Sequence, residues 1–449
     1  MSFHSQKALA ILREGGIRTE GIRAFFTERQ VMDALEKTTK AFTIRARNPR
    51  YDMHIDTDNL YIAPGYGSAV IVEADGDARR STFDDFLKLC AIVQCSDAFC
   101  INGGILAQPC DLDAAIAAPV MVYATIKRSD KVLFSVSADK ARTQAIMELL
   151  GIAFGKENLA KEPYSITLIS TMSPLSIDEN ALDTLMLCAH YRQPVCIAPG
   201  PMAGGTGPIS LAGNISLANA EILATNVLCQ LIAPGLPIIY GFAATTSDMR
   251  DMSVCNASPG FVKEARYGAR MAKRYGLACR SGGGMSDAGG LTAQAGVESA
   301  MNLFESFAEK ANFVMHAAGS LQSFAAVSYE KFMLDIETAA RMRYYFSPLD
   351  CTDEALGYEA LHDVIVDGDQ FMYCEHTLER CRIDPFLNTV SLHGRVNADA
   401  NAALLSSCRT QMEYLLSQYQ KPPLDTAVET QLDDYMRAYG MREEDIRKI

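Results

Sequence analysis

The sequence predicts a TIM (β/α)8 barrel with an N-terminal cap and C-terminal helical additions. Two observations carry that prediction. From about residue 98 short β-rich runs alternate with helical stretches, and most of the runs are apolar on both faces, as strands buried in a parallel sheet are. A third observation narrows the choice: no Gly-x-Gly-x-x-Gly follows a strand and no Walker loop occurs, so a nucleotide-binding doubly wound sheet fits less well than a closed barrel at this length.

Taken in order, residues 1–95 read as the cap. Helical stretches over Gln6–Glu14 and Thr27–Ala46 lead into Tyr51–Gly76, rich in Asp, Gly and Tyr, which suggests a small β-ribbon. Residues 96–390 read as the barrel with appended helices. Strands are expected at Ala98–Asn102, Val132–Ser135, Tyr164–Ser170, Pro194–Ala198, Leu236–Tyr240, Leu277–Cys279 and Asn312–Met315. Helices are expected near Asp139–Ile152, Ile177–Tyr191, Ile215–Ile232, Pro259–Tyr275, Leu291–Glu309 and Tyr329–Tyr345. After Tyr345 the chain turns polar and helical, over Thr352–Leu361, Phe371–Arg382 and Asp399–Gln418, and 391–449 reads as a helical tail. Such additions cover one end of a barrel or make a subunit contact, and a homo-oligomer is expected.

Charge and composition exclude whole classes of partner. Forty-one Lys and Arg against 54 Asp and Glu give a formal charge of −13, which repels phosphate backbones, so no nucleic-acid partner is expected. The first residues lack the basic and apolar regions of a signal peptide, and apolar runs such as Val227 to Pro234 fall short of a bilayer span. A cytoplasmic protein without a membrane partner is expected. The 13 cysteines sit largely in apolar segments and read as reduced small hydrophobes, with no Cys-x-x-Cys. Cys374, His376 and Cys381 are the one grouping with zinc-like chemistry, and they lack a fourth ligand nearby. No metal is expected.

The densest functional signal is the run from Cys196 to Ala224. It carries an apolar strand into a loop holding Gly200, Gly204, Gly205, Gly207 and Gly213, and then into a helix starting near Asn214 or Ser216. Glycines let backbone approach a ligand where a Cβ would collide, so Gly204, Gly205 and Thr206 become candidates for contact. The predicted strand ends supply the rest, including Asn102, Tyr240 with Phe242, Arg280 and His316. They offer no paired carboxylate, no Schiff-base lysine, no nucleophile elbow and no three-histidine set, which disfavours hydrolytic, lyase and acid/base chemistry. Aromatic, hydroxyl and amide groups with one arginine suit a small, partly apolar, zwitterionic ligand.

Three motifs in order then carry a resemblance. They are the Pro199-Gly-Pro-Met-Ala-Gly-Gly-Thr-Gly-Pro-Ile-Ser-Leu-Ala-Gly-Asn run, His316-Ala-Ala-Gly-Ser-Leu with Ser328-Tyr-Glu-Lys-Phe-Met-Leu-Asp335, and Asp369-Gln-Phe-Met-Tyr-Cys-Glu-His376-Thr-Leu-Glu-Arg. Over about Asp52 to Leu387 the chain resembles the trimethylamine methyltransferase family. The resemblance implies a barrel enzyme that passes a methyl group from a methylated amine to the cobalt of a corrinoid carried by a partner protein, with no cofactor held tightly by this chain. The founding enzymes carry pyrrolysine. This chain has only standard residues, so it resembles the non-pyrrolysine branch, whose substrates are quaternary amines such as glycine betaine.

The residues agree with that branch. A quaternary ammonium already carries its charge and leaves as a neutral amine, so the enzyme's task is to hold the methyl in line with the cobalt. Trp is absent, so a cation–π cage has to use Tyr or Phe; Tyr66, Tyr240 and Phe242 are the candidates, with Phe371 and Tyr373 in reserve. Arg280 is the candidate clamp for a betaine carboxylate, helped by His376 or by amides of the glycine-rich turn, and Glu375 is a candidate partner of that imidazole. Two other readings stay open: a zinc-assisted methyltransferase using Cys374, His376 and Cys381, and a barrel that binds betaines without turning them over.

Overall fold

A computed structural model describes residues 1–449 other than 57, 74–75, 369 and 395–397. Asp369, the first residue of the third motif, therefore lies outside the described residues. Eight parallel strands form the barrel: Tyr61–Ile62, Ile101–Gly103, Val132–Phe134, Ser165–Ser170, Val195–Ala198, Ile238–Tyr240, Ala278–Gly282 and Phe313–Met315. From the second strand on, each hydrogen-bonds to the next in chain order, and the last pairs with the first. A bridge between Ile62 and Phe99 closes the ring. All seven strands expected from sequence are present. The eighth, Tyr61–Ile62, comes from the Tyr51–Gly76 segment read as cap; at two residues it is too short to show a period.

Each strand is followed by a long helix: Phe83–Cys95, Ala117–Arg128, Lys140–Phe154, Glu179–His190, Leu211–Ile232, Pro259–Arg274, Ala293–Ala308 and Tyr329–Phe346, here helices one to eight. Helix two gave no periodic signal because Ala117–Lys127 is buried throughout, so it has no polar face. The tail explains that burial. Helix Thr426–Ala438 lies over it, with Asp433 accepting hydrogen bonds from the Tyr123 hydroxyl at 2.5 Å and from Lys127 Nζ at 2.7 Å. Helix five is, by length and composition, apolar enough to cross a membrane, contrary to the shorter runs read from sequence; over half of its most apolar window is buried against the rest of the protein.

Strand alternation decides what enters the barrel. Ile101, Phe134, Ile166, Cys196, Ile239, Ala278 and Phe313 point inward and form a core of their own. The hairpin Phe42–Ile44 with Met53–Ile55 adds Ile44, Met53 and Ile55 to that core, so it plugs the end where the strands begin. The other end, where the strands finish, is left for loops.

Candidate functional site

A cavity of about 520 Å3 opens at the C-terminal ends of the strands. Arg280 lies on its wall because Ala278, two residues earlier, faces inward and the same face recurs every second residue. The residue is 7% exposed. Nη1 donates to the Phe242 carbonyl at 3.0 Å, and Nε has no hydrogen-bond partner. Among the described residues no carboxylate pairs with it, and burial pulls its pKa below the usual range.

His316 follows the eighth strand with φ at +55° and is also buried against the cavity. Its Nδ1 accepts the Tyr66 amide proton at 3.3 Å, which puts the imidazole hydrogen on Nε2. Burial, and then the Arg280 charge, hold its pKa down to about 3, so the ring is neutral. Phe324 stacks on it with centroids 5.3 Å apart and planes at 24°. That ring sits in a turn in which Gln322, Ser323 and Phe324 all have positive φ. Asp287 and the Val254 carbonyl accept from the Ser323 hydroxyl and hold the strained turn in place.

Tyr66 faces the same space, its ring 5.0 Å from Phe134. Gly104, at φ +71°, makes room for it: a Cβ there would stand 2.8 Å from both the Tyr66 and Phe134 rings. Burial pushes the Tyr66 hydroxyl up to about 12. Phe261 from the first turn of helix six supplies a third ring, and Met202 and Met285 fill in. No Asp or Glu is among the lining residues.

The structure thus brings together Tyr66, Arg280 and His316. It does not bring the other candidates to them. Tyr240 shares the outer face of its strand with Ile238, is fully buried, and donates its hydroxyl to Asn219 on helix five at 2.9 Å. Phe242 follows the same phase and packs its ring against Gly268 of helix six, where a Cβ would approach it to 2.4 Å; only its carbonyl reaches Arg280. Asn102 likewise points out, donating to the Cys90 carbonyl at 2.9 Å and accepting from Gly103 N. Gly204, Gly205 and Thr206 form a tight exposed turn whose amides all close on Met202 or Gly207, so the cavity meets Gly200 and Met202 instead.

His376 and Glu375 lie in a separate, acidic cavity of the C-terminal segment, far from the strand ends in the fold, and Phe371 and Tyr373 are exposed there. Cys374 donates to the Gln370 carbonyl and Cys381 to Leu378, and among the described residues these cysteines and His376 do not converge as a metal ligand set. The sequence missed Phe261, Phe324 and Met285, which sit in loops and a first helical turn where no period marks direction. The one available signal for Phe324 was its place between two motif segments after the eighth strand.

A sequence profile of the trimethylamine methyltransferase family matches residues 1–442. The chain belongs to that family. Among its relatives, a glycine betaine methyltransferase of Desulfitobacterium hafniense (strain Y51) is 35% identical over 98% of this chain and 92% of its own. A proline betaine:corrinoid methyltransferase of Eubacterium limosum is 30% identical over 75% and 71%. An L-carnitine:corrinoid methyltransferase of the same organism is 27% identical over 82% and 77%. The monomethylamine methyltransferase of Methanosarcina barkeri has the same barrel architecture, with a TM-score of 0.51 at 10% identity over 91% of this chain and 92% of that one. Within this trimethylamine methyltransferase family member, the motif around Pro199 supplies Gly200 and Met202 to the cavity wall, and the motif around His316 supplies that imidazole.

Proposed function

We propose that the protein transfers a methyl group from glycine betaine or a closely related small betaine to the reduced cobalt of a corrinoid carried by a partner protein. The observation that carries this reading is Arg280: a buried cation with a free Nε, no counter-ion among the described residues, and a place on a cavity lined by Tyr66, Phe261 and Phe324 but by no carboxylate. A charge in that state is costly unless a ligand anion completes it. A betaine carboxylate does so. The three π-faces then hold the quaternary ammonium without a salt bridge.

That division suits the chemistry. The methyl-bearing nitrogen is positive in the substrate and neutral in the product, so a carboxylate beside it would stabilise the ground state and slow transfer. Aromatic faces bind the cation more lightly. Neutral His316 adds no competing charge, and its Nε2–H is a donor directed by the bond Nδ1 accepts. No proton has to move: the C–N pair stays with the departing amine, and the nucleophile's electrons form the new bond to the methyl. The protein's part is to anchor the carboxylate, exclude water and aim one methyl at the mouth. Two of the relatives above are corrinoid methyltransferases, which supports such an acceptor.

Calorimetric titration tests the anchor. Glycine betaine is expected to bind, and choline, the same cation without the carboxylate, to bind at least tenfold more weakly. Equal affinities would remove Arg280 from the role.

A further inference from the structure

Helix six buries a carboxyl group for which methyl transfer has no use. Glu264 is fully buried one turn beyond Phe261, and among the described residues no cation pairs with it. Its Oε1 accepts from Asn214 Nδ2 at 3.0 Å, and its Oε2 has no hydrogen-bond partner. Asn214, the last residue of the first motif, stands in the first turn of helix five and is fully buried as well. Its Nδ2 also donates to the Pro201 carbonyl at 3.1 Å and to the Thr245 carbonyl at 3.2 Å, while its Oδ1 has no partner. Those two carbonyls fix which end of the amide is the nitrogen. Gly207 lies directly against Oδ1, where a Cβ would collide with it.

One missing hydrogen accounts for both idle oxygens. The amide nitrogen brings two hydrogens to three acceptors, so the amide oxygen needs a donor from another group. An ionised Glu264 supplies none, and it leaves a charge out of water on a single hydrogen bond, which is costly. A carboxylic acid instead pairs with an amide through two bonds, the amide N–H to one oxygen and the acid O–H to the amide oxygen. Burial raises the Glu264 pKa to about 7, against the Asn214 hydrogen, which lowers it. The charged groups of the surrounding elements are engaged elsewhere. Glu221 of helix five accepts from Thr171, Ser173 and the Leu175 amide, and Asp248 beyond strand six accepts from Arg250. Arg266 of helix six donates to Glu305, Lys263 is exposed, and Arg280 of strand seven donates to the Phe242 carbonyl.

We propose that Glu264 is a positioning residue that carries a proton on Oε2, donates it to Asn214 Oδ1, and so clamps the two loops that wall the cavity. The loops after strands five and six run side by side, with Thr245 N donating to the Pro201 carbonyl and Ala203 N to the Thr245 carbonyl, both at 2.9 Å. They bring Gly200, Met202, Ala243 and Thr245 to the cavity, and Phe261 reaches it from the helix that carries Glu264. Loss of the proton opens the clamp.

Infrared difference spectra, parent minus Glu264→Gln, test the protonation. A protonated-carboxyl band is expected at pH 6, fading as pH rises toward 9. Gln keeps both bonds, with Nε2–H in place of O–H, and has no proton to lose. The folded pKa of about 7 lies above the ordinary 4.5, so the Glu264 contribution to stability is complete below pH 4.5 and is lost as pH rises through 7. The urea midpoint of the parent relative to Glu264→Gln is therefore expected to fall between pH 5 and 9. Glu264→Ala, with neither bond, lies below Glu264→Gln throughout. Calorimetric titration with glycine betaine reads the positioning, and this arm alone rests on the proposed function. Parent affinity is expected to fall about two- to tenfold from pH 6 to 9, the worth of one neutral hydrogen bond, while that of Glu264→Gln stays level. No acid band at pH 6, a Gln variant no more stable than Glu264→Ala, or the same pH profile of midpoints in parent and Gln variant would each overturn the clamp. A parent whose betaine affinity stays level with pH would overturn the positioning role. A parent that binds no betaine at any pH would overturn the proposed function instead, and the band and midpoints still decide the clamp.

Discussion

Two buried cations in one barrel have opposite surroundings. Lys331 of helix eight is saturated: its Nζ donates to Asp335 at 2.6 Å, to the Gly284 carbonyl at 2.6 Å and to Ser299 Oγ at 2.7 Å. Asp335 in turn accepts the Gly319 amide at 2.8 Å, tying the loop after His316 to the helix. Arg280, also buried, has one carbonyl and an idle Nε. The first arrangement is complete without a ligand. The second is completed by one, and that difference separates a group that holds the mouth together from a group that waits in it.

Removing a partner should expose the contrast most strongly at the saturated pair. Asp335→Ala leaves Lys331 buried and uncompensated, and should cost about 3–5 kcal/mol of stability, read from the urea midpoint. Arg280→Met removes a cation that was never compensated, so its midpoint should hold or rise while KM for a betaine climbs about ten- to more than a hundredfold, the range of a lost charged hydrogen bond of about 1.5–3 kcal/mol. If Arg280→Met destabilises as severely as Asp335→Ala, the two cations have the same role and the contrast fails.

Smaller effects sharpen the same contrast on the aromatic side. Phe324→Leu and Phe261→Leu should each weaken betaine by about 0.5–2 kcal/mol while sparing the neutral isostere in which carbon replaces the quaternary nitrogen. Equal losses for both ligands would make these rings plain packing. The least effect is on pH. His316 has a folded pKa of about 3 against 6.5 ordinarily, so the unfolded chain binds its proton first. Its contribution to stability is present above pH 6.5 and is lost as pH falls from there toward 3. Because the Arg280 charge is part of the cause, Arg280→Met should raise the folded pKa of His316 toward 6.5 and make that acid-side loss smaller, as seen by urea midpoints between pH 3 and 7.

How far the sequence went follows the same physics. Seven strands were legible because apolar runs between helices are a strong local signal, and Arg280 and His316 stood out at strand ends. Tyr240, Phe242 and Asn102 were misplaced by phase alone: Ile239 and Ile101 face inward, so their neighbours face out. A one-residue slip reverses every side chain on a strand. Ile238 beside Tyr240 was apolar too, and a run apolar on both faces hides its own phase. Phe261 and Phe324 were invisible for another reason, since their direction is set by loops that only the closed barrel brings together.

The most direct test is anaerobic transfer itself, with parent protein, a Co(I) corrinoid protein and glycine betaine, following cobalt absorbance and dimethylglycine together. We predict one dimethylglycine per methylated corrinoid, no turnover without the corrinoid protein, and recovery of the Arg280→Met rate only at far higher betaine. Demethylation that proceeds without any corrinoid, or a parent that leaves both betaine and Co(I) unchanged, would contradict it.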